Sequence, residues 1–437
     1  MQKGEFFKII VLVILGFIIV ISSLIFAGVL PGFKRSEVGT GGTVTLWGSA
    51  PANKMLSFLS DFNRDHQEQF KLEYSEIPAE EFNKRYLESL ARGQGPDLVL
   101  VGDDFIFENG DTLYTILPET YSLRDFQNTY INGADIFQSP NGLLALPVSV
   151  DPLVMYVNRD TLSTTGLTHA PKTWTEVLEK IGQVNKIAAN QTIEQSLLAL
   201  GEFDNIHNAK HILEALVLQT GNPIYAYNSV SANYESRLAS SLDLSQVPAV
   251  AALNFYTQFS NKSKNVYSWN PSIPEDRQFF AAGKLATYFG FGSELATIKN
   301  LNPNLSLDTA ELPQRGNEVT KVTRGKFRGV GIVKTSDNFN TAFQVAFALA
   351  GGAESKYIAS TLGEIPVRRD TLALLPADPH QALFYQVALY SKSWLDPEPE
   401  ATRLIFREMI NSVNTRERTS SAAVSRASGQ INALYEK

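Results

Sequence analysis

Two short turns carry side chains suited to hydrogen bonding with a small molecule. The first is Gly48-Ser49, which follows the apolar run Val44–Trp47, and the second is Gly102-Asp103-Asp104, which follows Asp97–Val101. Glycine lets backbone approach a solute, a serine hydroxyl can donate a hydrogen bond, and adjacent carboxylates can accept bidentate bonds from vicinal hydroxyls. Serine and aspartate are also leading helix N-cap residues, so both turns have a structural alternative.

Aromatic side chains form the second group of candidates, because the C–H faces of a sugar ring are apolar and pack on aromatic rings. Trp269 and Trp394 rank highest, since each lies among polar, proline-flanked residues typical of loops. Every one of these rings could instead fill a core. The full set of aromatic candidates is Trp47, Tyr156, Tyr225, Tyr227, Trp269, Phe291 and Trp394.

No catalytic motif accompanies these candidates. His207 and His211 have helical i, i+4 spacing, but the glutamate of a HExxH site and a third ligand are both missing nearby, so an ordinary helix face is expected. Asp103 and Asp104 are adjacent on one turn, whereas a glycosidase pair attacks the bond from opposite faces. The sequence has no phosphate-binding GxxxxGK[ST] loop. We therefore expect no enzyme, no cofactor and no metal site.

The composition is that of a globular protein with more than one core. The 437 residues favour two or three folding units, and 44% hydrophobic with 19% charged residues provides ample core material. The formal charge of −7 disfavours binding to nucleic acid. With no cysteine in the chain, disulfides, thiolate metal sites and a lipid-modified cysteine are excluded.

The N-terminal region predicts a membrane segment. Ile9 to Leu30 contain no charge, and as a helix this run would rise roughly 33 Å, enough to cross a bilayer core. A cleaved signal peptide is the alternative, but its apolar region is normally shorter. We expect residues 1–36 to form a single-pass transmembrane anchor and residues 37–42 to form a flexible, glycine-rich tether.

The rest of the chain alternates between strand and helix patterns. Strands are predicted at 44–47, 70–74 and 97–101, with helices after the first two, an order typical of a parallel sheet covered on both faces. A capping box at 173–176 begins a helix with Trp174 in the core, and a later helix is expected to end at Gly351-Gly352. The apolar runs 143–158 and 327–334 are expected to be strands that pass between lobes.

One long segment resembles a known family. GLLALPVSVDPLVMYVNRDTLSTTGLTHAPKTWTEVLE is similar to the hinge-and-helix region of type 1 extracellular solute-binding proteins, the maltose-binding-like family. Further segments resemble that family in the expected order, and together they span nearly the whole chain after Thr43. They are VTLWGS, GPDLVLV, FFAAGKLATYFGFGS, NPNLSLDTAELP, FRGVGIVKTSDNFNTAFQVAFAL and GEIPVRRD.

The resemblance implies an α/β, two-lobed, periplasmic-binding-protein-like (type II) fold with a hinge. Lobe one is expected at 43–150 with 328–366, and lobe two at 151–327 with 367–437. Three polar residues, Asp151, Arg328 and Arg368, are then expected near the cleft axis, where Asp151 and Arg328 could equally form a hinge ion pair. Gly292 and Ser293 follow the glycine-lysine strand, but Glu294 stands where the family often has tryptophan, so an aromatic platform must come from Phe291 or elsewhere.

The same resemblance implies the function. A monomeric extracellular (or periplasmic) protein is expected, which captures a small solute, expected to be a mono- or oligosaccharide, and delivers it to the permease subunits of an ABC importer. A ligand-sensing ectodomain that signals to a membrane partner is the alternative, and a carbohydrate hydrolase is a weaker one.

Overall fold

The computed structural model describes residues 42–240, 247–316 and 320–436. The predicted anchor at 1–36 lies outside these residues, as does all of the tether except Gly42. Within the described ranges, no helix combines the length and the apolar character needed to span a bilayer.

Strands and helices alternate along the chain. The strands are β1 Thr43–Gly48, β2 Lys71–Glu76, β3 Leu98–Gly102, β4 Gln138–Ser139, β5 Gly142–Leu143, β6 Leu146–Asn158, β7 Lys186–Ile187, β8 Ile193–Gln195, β9 Tyr225–Asn228, β10 Asn233–Ser236, β11 Thr287–Phe291, β12 Leu307–Ala310, β13 Thr323–Ile332, β14 Ile365–Pro366 and β15 Ser391–Lys392. The α-helices are α1 Ala52–Asp65, α2 Ala79–Ala91, α3 Ile106–Asn109, α4 Leu123–Thr129, α5 Arg159–Thr164, α6 Trp174–Val184, α7 Ala209–Gln219, α8 Pro248–Thr257, α9 Asp276–Ala281, α10 Leu295–Leu301, α11 Phe339–Leu349, α12 Gly352–Leu362, α13 Arg369–Leu372, α14 Pro379–Ala388, α15 Pro399–Asn414 and α16 Ser420–Tyr435.

The main sheet has the strand order β11-β6-β13-β3-β1-β2, and β12, β14 and β15 attach to its central strands. Strands β1, β2 and β3 are parallel and are connected through α1 and α2, as the sequence predicted. Val44 and Leu46 on β1 are buried in the same hydrophobic core as Met55 and Phe58 on α1. Because the connections are helical, the carboxyl ends of β1 and β3 lie at the same edge of the sheet.

Two central strands run through both halves of the sheet. The first part of β6 pairs with β13 and β14, and its second part, from Leu153 to Asn158, pairs with β11 and β12. Strand β13 pairs with β3 from Arg328 to Ile332 and with β15 at Thr323 and Arg324. All 13 residues of β6 are buried. A continuous backbone shared by two packed units can act as a hinge.

Two local predictions about helix ends need correction. Thr173 does cap α6 by accepting from the Glu176 amide at 3.1 Å, but the Glu176 carboxylate accepts from the Lys172 amide and not from Thr173, so the capping box is incomplete. Gly351 has a φ of −62° and is the N-cap residue of α12. The left-handed glycine cap is Gly363, at φ 73°, because α12 follows α11 almost without a break. Trp174 lies in the core as predicted.

Candidate functional site

A cleft of about 790 Å³ lies at the carboxyl ends of β1 and β3 and over the middle of β6 and β13. Its walls come from segments that are more than 300 residues apart in the chain, from Ser49 to Arg403. Seven side chains proposed from the sequence line this cleft, namely Ser49, Asp103, Asp104, Asp151, Ser293, Arg328 and Trp394. The location agrees with the general rule that ligands bind beyond the carboxyl ends of parallel strands.

The two turns that the sequence singled out are not used as helix caps. Pro51 occupies the N-cap position of α1, and the Ala52 amide donates to the Glu76 carboxylate at 2.7 Å, so Ser49 is left facing the cleft. The short 3-10 helix Asp103–Phe105 likewise has no side-chain cap. The polar side chains of both turns therefore remain oriented towards the cleft.

Asp103 and Asp104 differ in environment although they are adjacent. Asp103 is buried, accepts from the Ser393 hydroxyl, and lies 3.6 Å from Nη1 of Arg324. Burial raises the pKa of Asp103 to about 6, and Arg324 opposes that rise. Asp104 is exposed in the cleft and has no hydrogen-bond partner among the described residues. Asp104 is therefore the acceptor that a ligand can reach directly.

Arg328 and Asp151 do not form the hinge ion pair that the sequence allowed. Nη2 of Arg328 lies 2.9 Å from Oε1 of Glu364, and the Ser149 hydroxyl donates to the same carboxylate. Asp151 instead accepts from the backbone amide and the hydroxyl of Ser293, at 3.0 and 2.5 Å. Burial, followed by the nearby Glu364 carboxylate, raises the pKa of Asp151 to about 7.

A buried ionic network supports the opposite wall of the cleft. The fully buried Glu214 carboxylate on α7 accepts from Nε1 of Trp394 at 2.9 Å and from Nε of Arg324 at 2.9 Å, and it lies 3.0 Å from Nδ1 of His211. Burial alone would raise the pKa of Glu214, but the adjacent Arg324 guanidinium holds it well below its usual range. Lys210, one turn earlier than Glu214, is bonded to Asp396 at 2.6 Å.

This network contains functional candidates that the sequence did not reveal. Lys210, Arg324 and Lys326 line the cleft, and the Lys326 ammonium lies 4.0 Å from the centroid of the Phe291 ring. Hydrophobic periodicity does not identify such residues as binding-site candidates, because a charged residue in a helix or strand is expected on the surface. The one usable signal is the length of β13, where Arg324 and Lys326 continue the apolar run towards its N-terminus.

The two histidines line the cleft and do not form the ordinary helix face expected from their spacing, because His207 lies in the turn before α7 and His211 lies on α7. His211 packs beside Glu214, and burial lowers the pKa of His211 to about 3, so the ring is neutral. His207 lies 3.1 Å from Glu275. Within the part of the chain that the structure describes, no group of three histidine, aspartate or glutamate residues could hold a metal ion.

Two tryptophans predicted from loop context do lie in loops, but their side chains are buried. Trp269 is fully buried and donates from Nε1 to Asn205 at 3.1 Å, so it does not line the cleft. Trp394 lines the cleft with little exposed ring surface, because its Nε1 donates inward to Glu214. In both cases a hydrogen bond to a side-chain oxygen compensates the burial of the indole N–H.

The remaining predicted residues lie next to the cleft or away from it. Trp47 packs against the core, and a Cβ atom at Gly48 would lie 2.8 Å from the Tyr74 hydroxyl, so Gly48 is required by packing. Phe291 is buried below Lys326. Gly292 packs against Phe384, with a Cβ position 3.3 Å from that ring.

Arg368 is also outside the cleft lining. Its Nη2 lies 2.7 Å from Oδ2 of Asp370, and its backbone bridges to Tyr130. Glu294, at the position where a tryptophan was expected from the resemblance, has a structural role. Glu294 accepts from the Tyr288 hydroxyl at 2.6 Å and from the Phe291 amide at 2.8 Å. It therefore fixes the turn that presents Ser293.

Comparison with known proteins agrees with this architecture. The sequence profile of a family described as bacterial extracellular solute-binding protein matches residues 58–382, well over half of the chain. The chain therefore belongs to that family, whose members are binding proteins. No curated protein matches the chain significantly in sequence.

Solved structures show the same two-lobed α/β fold. A cyclo/maltodextrin-binding protein complexed with maltotetraose superposes with a TM-score of 0.72 at 15% identity, covering 91% of this chain and 98% of that chain. The GacH receptor of Streptomyces glaucescens, solved unliganded and with acarbose, superposes with a TM-score of 0.66 at 14% identity, covering 91% of this chain and 99% of that chain. The Thermus thermophilus maltotriose-binding protein superposes with a TM-score of 0.63 at 18% identity, covering 89% of this chain and 99% of that chain.

Proposed function

We propose that this protein captures a small carbohydrate, a mono- or oligosaccharide, in the cleft and delivers it to an ABC importer. The observation that carries the proposal is the polar cleft itself, which lies beyond β1 and β3 and is lined by the Asp104 carboxylate and the Ser49 hydroxyl. A carboxylate and a hydroxyl group can both form hydrogen bonds with the hydroxyl groups of a sugar. Structures of similar fold were solved with maltotetraose and maltotriose bound, which supports a sugar as the ligand.

Recognition in this cleft relies on hydrogen bonds more than on stacking. The aromatic residues of the lining are Phe203, Phe327 and Trp394, and each exposes less than a tenth of its surface. Charged and hydroxyl side chains form most of the remaining wall. A ligand rich in hydroxyl groups matches this surface, because each hydroxyl can both donate and accept.

The proposed mechanism is closure about β6 and β13. Lobe one, 43–150 with 328–366, contributes Asp104 and Arg328, and lobe two, 151–327 with 367–437, contributes Lys210 and Ser293. A solute that bonds to both walls favours the closed form by its differential contacts with that form. Closure binds and releases the solute without making or breaking covalent bonds, so no catalytic residue is assigned.

The proposed location is the outer face of the cell membrane. Residues 1–36 would anchor the protein, residues 37–42 would serve as a tether, and the monomeric binding domain would dock on the permease subunits of the importer. An uncharged run of this length remains in a bilayer more readily than it is cleaved as a signal peptide. N-terminal sequencing of the mature protein distinguishes retention from cleavage.

A thermal-shift screen tests the carbohydrate assignment. Purified full-length protein in detergent is screened against neutral mono- and oligosaccharides, amino sugars, polyols, peptides and polyamines at saturating concentration. A ligand that binds only the folded state raises the Tm. The largest shift is expected from a saccharide, and shifts confined to peptides or polyamines would refute the carbohydrate assignment.

A further inference from the structure

Three cationic side chains lie in a row on the part of the cleft wall that β13 forms. They are Arg324, Lys326 and Arg328, which occupy alternate positions of the strand and therefore project from the same face of it. All three line the main cleft. The row directs positive charge into the space that a solute would occupy.

The two arginines of this row have counter-charges within the protein. Nε of Arg324 lies 2.9 Å from Oε2 of Glu214, and Nη2 of Arg328 lies 2.9 Å from Oε1 of Glu364. The carboxylates of Glu214 and Glu364 are both shielded from solvent, with side-chain exposures of 0% and 9%. The charge of each guanidinium is therefore compensated before any ligand arrives, and these two residues stabilise the wall.

Lys326 differs from both arginines. Its side chain is exposed in the cleft, and among the described residues its ammonium has no hydrogen-bond acceptor and no carboxylate within 4.0 Å. On one side the ammonium lies 4.0 Å from the centroid of the Phe291 ring, where a cation–π attraction holds it. The surrounding walls keep water away from the ammonium and lower the pKa of Lys326. Its N–H donors are left for a ligand.

The carboxyl group opposite Lys326 in the sheet is bonded elsewhere. Lys326 pairs with Asp151 in the ladder between β13 and β6, but the two oxygens of Asp151 accept from the amide and the hydroxyl of Ser293. Burial raises the pKa of Asp151 to about 7, so this group is only partly ionised at neutral pH. Asp151 therefore compensates the charge of Lys326 only in part.

The other charged groups that act on Lys326 are also engaged within the protein. They are Asp103, Glu294 and Arg324. Asp103 accepts from the Ser393 hydroxyl, and Glu294 accepts from the Phe291 amide at 2.8 Å. Arg324 adds a second positive charge on the same strand. The charge that lacks a partner at this point of the cleft is therefore positive.

We propose that the solute is an acidic saccharide, and that the carboxylate of one of its uronic acid rings accepts hydrogen bonds from the Lys326 ammonium. This inference rests on the proposed function and names the substrate class within it. Hydrogen bonds between an ammonium and a carboxylate are shorter and stronger than neutral ones. The hydroxyls of the same sugar can bond to Ser49 and Asp104, which line the same cleft.

A carboxylate matches this cleft better than a phosphate ester does. One ammonium without a partner balances one negative charge, whereas a phosphate monoester carries nearly two at neutral pH. The exposed Asp104 carboxylate in the same cleft disfavours a second negative charge, because like charges in one site repel. An acid without a sugar ring shares the carboxylate chemistry, so the experiment must separate the two sources.

Isothermal titration calorimetry on the full-length protein in detergent at pH 7 separates them. The probes are uronate disaccharides, each paired with the neutral disaccharide of the same linkage and ring configuration, together with tartrate as a hydroxy acid that has no ring. The pairs are α1,4-linked digalacturonate with galactobiose, β1,4-linked dimannuronate with mannobiose, and cellobiuronate with cellobiose. We expect a uronate to bind at least about tenfold more tightly than its neutral counterpart.

Methyl esterification of the preferred uronate tests the role of its charge. The ester keeps the sugar rings and the carbonyl but has no negative charge, so its affinity should fall to about that of the neutral disaccharide. This comparison uses the natural protein and is independent of whether any variant folds.

Lys326→Met tests the assignment to this side chain, because methionine keeps an unbranched apolar chain and removes the ammonium. The ammonium makes no hydrogen bond or ion pair within the described protein, so the Tm without ligand should change little. The preference for the uronate over its neutral counterpart should be lost. The matched control is Lys356→Met, which is exposed on α12 and outside the cleft and should retain the preference.

The outcomes separate this inference from the proposed function. Neutral disaccharides that bind as tightly as the uronates, a preference that survives esterification, or a preference that survives Lys326→Met would each overturn the inference and leave the proposed function intact. Binding of tartrate alone would overturn both the inference and the carbohydrate assignment. If none of the probes binds, the inference is overturned, and the thermal-shift screen decides the proposed function.

Discussion

Asp151 on β6 and Ser293 after β11 are joined by two hydrogen bonds, from the Ser293 amide at 3.0 Å and from its hydroxyl at 2.5 Å. Asp151 lies one residue before the midpoint of the strand that runs through both halves of the sheet. The Ser293 bonds favour the ionised carboxylate, but burial and the nearby Glu364 raise the pKa of Asp151 to about 7, and Lys326 offsets only part of that rise. A titratable contact therefore lies at the proposed hinge.

This contact predicts a pH dependence of stability. An unfolded aspartate ionises near pH 4, whereas the folded Asp151 keeps its proton to about pH 7, so the folded state binds more protons between these values. The contribution of Asp151 to the free energy of unfolding is therefore greatest at low pH and falls as the pH rises through that window. Asp151→Asn should show a smaller decrease in Tm from pH 5 to pH 8 than the natural protein.

The control for this pH dependence is Asp65→Asn, an exposed carboxylate at the end of α1. Its Tm profile should run parallel to that of the natural protein. If the Tm profile of Asp151→Asn also runs parallel to that of the natural protein, the assignment of this pH dependence to Asp151 is wrong.

Glu214→Gln should be strongly destabilising. Glu214 is fully buried and compensates Arg324, and the neutral glutamine leaves that guanidinium without its closest counter-charge. Breaking a buried ion pair by removing one partner costs about 3–5 kcal/mol. Urea denaturation should show a loss of that order, compared with less than about 0.5 kcal/mol for the exposed Glu194→Gln. A loss for Glu214→Gln as small as that of Glu194→Gln would show that the network is not a major support of the cleft wall.

Asp104→Asn should weaken solute binding without affecting stability. Asp104 is exposed in the cleft and has no hydrogen-bond partner among the described residues, so the substitution removes no contact within the protein. Losing a charged acceptor for a ligand hydroxyl should raise the Kd about tenfold. Calorimetry with the best saccharide of the screen measures the Kd, and Asp160→Asn, exposed on α5, is the control. An unchanged Kd for Asp104→Asn would place the ligand elsewhere in the cleft.

The alternation of β1, α1, β2, α2 and β3 could be predicted because each element carries its own hydrophobic period. The turns with Ser49, Asp103 and Asp104 could be predicted as site candidates for a related reason. They directly follow buried strands, and such positions collect at one edge of a parallel sheet.

The network around Glu214 could not be predicted, because its partners are distant in the sequence. Arg324 lies 110 residues after Glu214, and Trp394 lies 180 residues after it. Charged residues at such positions look like surface residues until the partners that compensate them are known. Trp269 shows the converse, since its polar neighbours indicate an accessible loop, whereas Asn205 binds its indole within the core.

Hinge closure on a saccharide is the central claim, and a distance measurement across the cleft tests it most directly. Because the chain has no cysteine, Lys84→Cys on α2, in the proposed lobe one, and Lys262→Cys, in the proposed lobe two, provide two exposed sites for a donor and an acceptor dye. Single-molecule energy transfer should shift to a higher-efficiency population when the saccharide with the largest thermal shift is added, with a midpoint at its Kd. The same efficiency distribution with and without bound saccharide would contradict closure.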